Sequence, residues 1–126
     1  MAQHTAVKPE LTASLYDAHA NTPAAGVRYQ LYWTEARGDV LLRAGATNRL
    51  GTTDTPLLDI NKLSAGVYKL VIHLGDYYEH ASIPDARHFL DVLPIVFVID
   101  DARRSTRIAI RVTPTSYSVD RVIVGE

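Results

Sequence analysis

The sequence predicts an all-β sandwich, and three observations carry that prediction. Apolar and polar residues alternate with period two in one segment after another. Gly, Pro, Asn and Asp recur between the segments at regular intervals. The chain reads as β throughout, with room for a helical turn or two at "DYYEHA" (76–81). About seven or eight short strands with such turn signals point to two packed sheets. At 126 residues the chain can bury one substantial core but not two. The expected organisation is a single domain over 1–126, with a flexible tail at 1–9.

The elements follow in order. "LTASLYD" (11–17) is short and partly alternating, and "TPAAGV" (22–27) reads as a turn. "VRYQLYW" (27–33) sets Val27, Tyr29, Leu31 and Trp33 against Arg28, Gln30 and Tyr32. "EARGD" (35–39) is a hairpin loop, after which "VLLRAGATN" (40–48) returns. "LGTTDTP" (50–56) is a connection rich in turn residues. "AGVYKLVIH" (65–73) turns Tyr68, Leu70 and Ile72 to one face and Val67, Lys69 and Val71 to the other. "FLDVLPIVFVI" (89–99) is strongly apolar, and its Pro94 lacks an N–H, so an edge strand or a bulge is expected. "TRIAIRV" and "SYSVDRVIV", joined by "TPTS", close the fold.

Composition excludes several function classes. The net charge of −1 gives no general attraction to nucleic acid or anionic membrane, so neither is an expected partner. No apolar run reaches membrane-spanning length, and "MAQHTAVKPE" has no apolar stretch of the kind a secretory leader needs. There is no cysteine for a disulfide, a thiolate metal site or a nucleophile. The expected location is the cytoplasm, with no metal and no cofactor. Phosphate-binding glycine loops, nucleophile elbows and zinc-helix motifs are absent. His4, His19, His73, His80 and His88 show no metal-ligand spacing beyond His80 and His88, eight apart, and read as structural or solvated. Asp100–Asp101 before "ARRS" reads as a charged turn, and the tyrosines as core or interface material.

Four stretches, taken in order, carry a family resemblance. "ELTASLYDAHANTPAAGV", "TNRLGTTDTPLL", "LSAGVYKLVIHLGDYY" and "VTPTSYSVDRVIV" together resemble the transthyretin and 5-hydroxyisourate hydrolase family over roughly residues 10–124. The resemblance implies an eight-stranded sandwich of two four-stranded sheets, with a short helix after the fifth strand. It also implies a homotetramer, a dimer of dimers, with ligand sites in a channel between the dimers.

The hydrolases of that family look alike at four places, and this chain departs at each. Their first-strand histidine falls on Ser14. The arginine of their TNxDGR motif falls on Thr52, in "TNRLGT". Their penultimate-strand Tyr-His pair falls on Thr106 and Arg107. Their Tyr-Arg-Gly-Ser end falls on Asp120, Arg121, Val122 and Ile123, so only the arginine remains. Opening a cyclic urate derivative needs a base for water and a donor for the developing oxyanion. Ser14 and Thr52 are not bases near neutral pH, and a guanidinium with a pKa above about 12 accepts no proton. The two-histidine mechanism is therefore expected to be lost.

Alternation places Arg107, Ala109 and Arg111 on one face, opposite Ile108, Ile110 and Val112. Ser118, Asp120 and Val122 share one face of the next strand. By resemblance these faces, with Ser14 and Tyr16, line the channel. One reading is an ion pair of Arg111 with Asp120 that plugs an unused channel. The other is a polar pocket in which Asp120 is acid or base and Arg107 and Arg111 hold an oxyanion or carboxylate. In that pocket Tyr16 orients or protonates the substrate, and Ser14, Thr52 and Ser118 bind it.

Two function classes follow. The first is a divergent enzyme acting on a small cyclic or carboxylated metabolite, with a small anionic or planar heterocyclic ligand. The alternative is a non-catalytic small-molecule binder or structural tetramer. A further alternative is 5-hydroxyisourate hydrolysis by an altered residue set.

Overall fold

The computed structural model describes residues 8–124. The strands are β1 (Leu11–Asp17), β2 (Thr22–Pro23), β3 (Arg28–Glu35), β4 (Gly38–Ala46) and β5 (Gly66–His73). Helix α1 (Leu74–His80) follows β5, and a 3₁₀ turn (Ala86–His88) leads into β6 (Val92–Ile99), β7 (Ser105–Thr113) and β8 (Ser116–Val124). One sheet has the order β2-β1-β7-β8 and the other β4-β3-β5-β6. Two four-stranded sheets and one short helix after β5 are the architecture that the sequence predicts.

The core lies where alternation puts it. Leu11, Ala13 and Leu15 of β1 and Ile108, Ile110 and Val112 of β7 face Leu31 of β3 and Tyr68, Leu70 and Ile72 of β5, all buried. Burying a Leu, Ile or Val side chain contributes roughly 1.5–3 kcal/mol, so these inward rows dominate the stability of the sandwich. β1 and β7 run parallel, with Leu11 beside Thr106 and Tyr16 beside Arg111. The remaining pairs of neighbouring strands are antiparallel.

Several boundaries differ from the sequence expectation. Within "TPAAGV" Thr22 and Pro23 leave the turn and pair with Asp17 and Tyr16 as a two-residue edge strand. Helix α1 begins two residues before "DYYEHA", because Leu74 and Tyr78, one turn apart, are the side chains it buries. Strand β6 begins only at Val92, and Phe89 is 71% exposed after the 3₁₀ turn. Pro94 does lie on an edge strand, opposite Val71, where a residue without an N–H is tolerated. β4 carries a bulge: Leu31 pairs with Arg43 and Tyr32 with Leu41, so Leu42 is the extra residue. The expected tail at 1–9 lies, for residues 1–7, outside the described residues.

Candidate functional site on the outer face of the β1–β7–β8 sheet

Strand pairing converts the alternation of three segments into lateral rows. Thr12, Arg107 and Val122 form one row, and Ser14, Ala109 and Asp120 the next. Tyr16, Arg111 and Ser118 form the third. An isolated bridge between Ser14 and Thr52 extends the middle row by one residue. Six of the seven site residues expected from sequence therefore share one face of one sheet, and the seventh, Thr52, lies beside them in the 50–56 connection. Arg107, Arg111, Ser118 and Asp120 are exposed, and Ser14, Tyr16 and Thr52 half-buried.

The middle row has a small floor between charged walls. Arg107 and Arg111 are four residues apart on β7, about 13 Å at a rise of ~3.3 Å per residue. Ala109 lies between them and directly opposite Asp120. Diagonal neighbours across a strand pair are about 7–8 Å apart, within reach of long side chains, so both guanidinium groups can approach Asp120 and the space above Ala109.

The plug arrangement is not what the side chains adopt. Among the described residues Arg107, Arg111 and Asp120 make no ion pair. The Arg111 guanidinium instead lies over the ring of Tyr16, 5.0 Å from its centroid. The Tyr16 phenol donates to the Asn21 side-chain carbonyl.

The Thr52 end is fixed by its own turn. Asn48 Oδ1 accepts from the backbone N–H groups of Leu50 (2.9 Å) and Thr52 (3.2 Å) and from Thr52 Oγ1 (3.2 Å). The Gly51 carbonyl accepts from Leu15 N–H at 2.7 Å, which ties the turn to β1. Gly51 has φ +77, and a Cβ there would stand 2.3 Å from the Leu15 carbonyl oxygen, so "TNRLGT" needs its glycine. Thr47, buried, accepts from Val27 N–H and donates to the Ala24 carbonyl, joining this turn to the 24–27 turn.

Asn48 and Asn21 were not among the sequence candidates. Asn48 carried the signal of an Asn opening a turn before glycine. Asn21 has φ 58, a left-handed conformation that asparagine tolerates, and only the fold brings it to Tyr16.

Other sequence candidates have local roles. Asp101 accepts from the backbone and guanidinium of Arg103, as a charged turn should. His73 bonds Gln30 at 2.8 Å and His80 bonds the Asp76 carbonyl at 2.8 Å. His88 sits 3.5 Å from Asp85, and His19 lies edge-on to the Tyr78 ring. None of these four histidines belongs to β1, β7 or β8. His4 lies outside the described residues. Among the described residues no group of three His, Cys, Asp or Glu side chains is placed to hold a metal, and no helix is long and apolar enough to cross a membrane.

Comparison with known proteins agrees with this architecture. A 5-hydroxyisourate hydrolase from Deinococcus radiodurans is 34% identical over 113 residues, covering 90% of this chain and 95% of that protein. One from Halalkalibacterium halodurans is 34% identical over 114 residues, covering 89% and 96%. Among solved structures, transthyretin from Sparus aurata superposes with a TM-score of 0.81 at 24% identity, covering 92% of this chain and 98% of that one. An (S)-allantoin synthase superposes with a TM-score of 0.85 at 24% identity over 93% of this chain, which spans 44% of the synthase chain. At that identity both structures speak to the fold alone. The HIUase/transthyretin family model matches residues 11–121, and the chain belongs to that family.

Proposed function

We propose that this protein hydrolytically opens a planar ring of the hydroxyisourate class, using an altered residue set on the outer face of the β1–β7–β8 sheet. The observation that carries this reading is the middle row. Asp120 stands opposite Ala109, flanked by Arg107 and Arg111 and free of an ion pair among the described residues, with Ser14 and Thr52 completing the row. The 34% identity to 5-hydroxyisourate hydrolases across nearly the whole chain supports the ring class.

A flat ring fits the small floor of Ala109 and Ser14. Its carbonyl edges then face a guanidinium on either side, and each guanidinium can give two parallel bonds. Asp120 takes the proton of the attacking water as oxygen adds to the ring carbonyl. Arg107 faces the oxyanion that forms, and Arg111 binds the opposite edge of the ring. Collapse breaks the ring carbon–nitrogen bond, and the proton held by Asp120 passes to the departing nitrogen. Ser14 and Thr52 bind ring polar groups, and Ser118 the edge beside Arg111.

The face is open in the single chain, so the site needs cover. A second copy laid over it makes the inter-dimer channel of a homotetramer. β6 and β8, one edge strand of each sheet, are the means of forming each dimer. We place the protein in the cytoplasm, where a diffusible anionic substrate reaches it without transport.

The test is a spectroscopic assay with 5-hydroxyisourate generated in place by excess urate oxidase. Decay faster than the spontaneous reaction, lost in Asp120→Asn, is expected. Decay at the spontaneous rate overturns hydrolysis of this ring. A second reading, binding without turnover, is favoured by the absence of histidine from the site strands. Calorimetry with urate, a stable planar anion, separates the two, because a silent binder holds urate while 5-hydroxyisourate decays at its spontaneous rate.

A further inference from the structure

Tyr16 combines a hydrogen bond and a cation contact at one end of the site. Its phenol donates to Asn21, so its proton is engaged in the resting chain. Its ring lies beneath the Arg111 guanidinium, 5.0 Å from centroid to Cζ. Arg111 has no carboxylate partner among the described residues, and Tyr16 is its lateral neighbour across β1 and β7. The backbone on this side is unusually well pinned. The next residue, Asp17, accepts from two phenols and from the N–H groups of His19 and Ala20. Thr22 and Pro23 then pair back onto Asp17 and Tyr16.

We propose that Tyr16 and Asn21 form a mount that holds the Arg111 guanidinium in place for a planar anionic ligand. Tyr16 is then a positioning residue and not the acid that protonates the substrate. The physical reason is entropic. A free arginine side chain must be ordered when it binds a ligand, whereas one already resting on an aromatic face loses less freedom. The mount therefore acts on affinity and leaves the chemical step alone. It also selects orientation, because a guanidinium covered on one face by the ring can meet a ligand only with its edge or its other face. This inference rests on the proposed site, of which Arg111 is one wall.

Two measurements test it, one independent of any ligand. In the NMR spectrum of the free protein, the δ-methylene protons of Arg111 should be displaced upfield by the Tyr16 ring current. Tyr16→Phe should keep that displacement, and Tyr16→Leu should abolish it. In the second measurement, Tyr16→Leu should raise KM for 5-hydroxyisourate and Kd for urate roughly three- to tenfold, with kcat within about twofold. Tyr16→Phe should restore most of the loss, and Asn21→Gly, which keeps the left-handed backbone, should fall between them. Adding Tyr16→Leu to Arg111→Ala should cost nothing more.

An Arg111 signal unchanged in Tyr16→Leu overturns the mount. A kcat that falls equally in Tyr16→Phe and Tyr16→Leu overturns the positioning role in favour of proton donation. If the signal behaves as expected but Arg111→Ala leaves Kd and KM unchanged, the site assignment fails while the contact stands.

Discussion

The phenol oxygen of Tyr78 lies 2.7 Å from the carboxylate of Asp17, joining helix α1 to the end of β1. Tyr77 reaches the other carboxylate oxygen at 2.7 Å, and the Tyr78 hydroxyl also contacts the Val112 carbonyl at 3.2 Å. Asp17 is 1% exposed, so its charge survives only because four donors replace water. Burial opposes the charge, but the hydrogen bonds from Tyr78, Tyr77, Ala20 and His19 together hold the carboxyl below the usual carboxylate range. Burial and the neighbouring Asp17 push both phenols well above the usual tyrosine range.

Stability should follow these shifts with pH. Asp17 titrates lower in the folded chain than the ~3.9 of an unfolded aspartate, so its contribution is present above that value and lost as pH falls below it. The phenols titrate higher than the ~10 of unfolded tyrosine, so their contribution is present below pH 10 and lost as pH rises through their folded values. Tyr78→Phe should cost about 1.5–3 kcal/mol near neutral pH, the loss of a hydrogen bond to a buried charge. Urea midpoints of wild type and variant should converge as pH drops below about 4. An equal gap at pH 3 and pH 7 would show that Tyr78 does not act through the Asp17 charge.

Gly51→Ala should damage both fold and site. The new Cβ meets a backbone carbonyl at 2.3 Å and requires a left-handed φ of a residue that avoids it. The conformational term alone is about 1–2 kcal/mol, and the clash adds to it. The thermal midpoint should drop, and the resonances of Thr52 and Ser14 should move with it, since their bridge depends on this turn. An unchanged midpoint would mean that the turn refolds around the methyl group.

Light scattering at micromolar concentration should return the mass of four chains. The expectation rests on β6 and β8 as edge strands, with Val96 and Val98 exposed on β6 and Tyr117 and Val119 exposed on β8. A monomeric mass would leave the site face uncovered and remove the channel from the proposal.

Arg111→Ala should weaken urate binding roughly ten- to a hundredfold, the loss of a charge-assisted contact of about 1.5–3 kcal/mol. Arg107→Ala should do likewise, because Arg107 faces the opposite edge of the ring. Asp120→Asn should lower turnover more than affinity. Titration calorimetry and the ring-opening assay read the two effects separately. If melting temperature alone moves in all three variants, these residues are structural.

The sequence by itself determined the period of the strands, and with it which side chains face in. It placed Arg107 and Arg111 with Ala109 on one face of β7, and Ser118 with Asp120 on one face of β8. The hairpin between them is short enough that alternation and turn length settle their register. Pro94 on an edge strand was legible for a similar reason, because a missing N–H is a local fact.

Only the tertiary structure decided which strands lie side by side. Tyr16 meets Arg111 because β1 runs parallel to β7, a pairing between opposite ends of the chain that no local pattern encodes. That contact, with Asn21 in its left-handed turn, gives Arg111 an aromatic seat where the sequence alone also allowed an ion pair with Asp120. Thr52 reaches Ser14, and Tyr78 reaches Asp17, by the same route. Backbone geometry repeats every two residues and can be read locally. Lateral neighbours are chosen by non-local hydrogen bonds and by how two apolar faces close on each other.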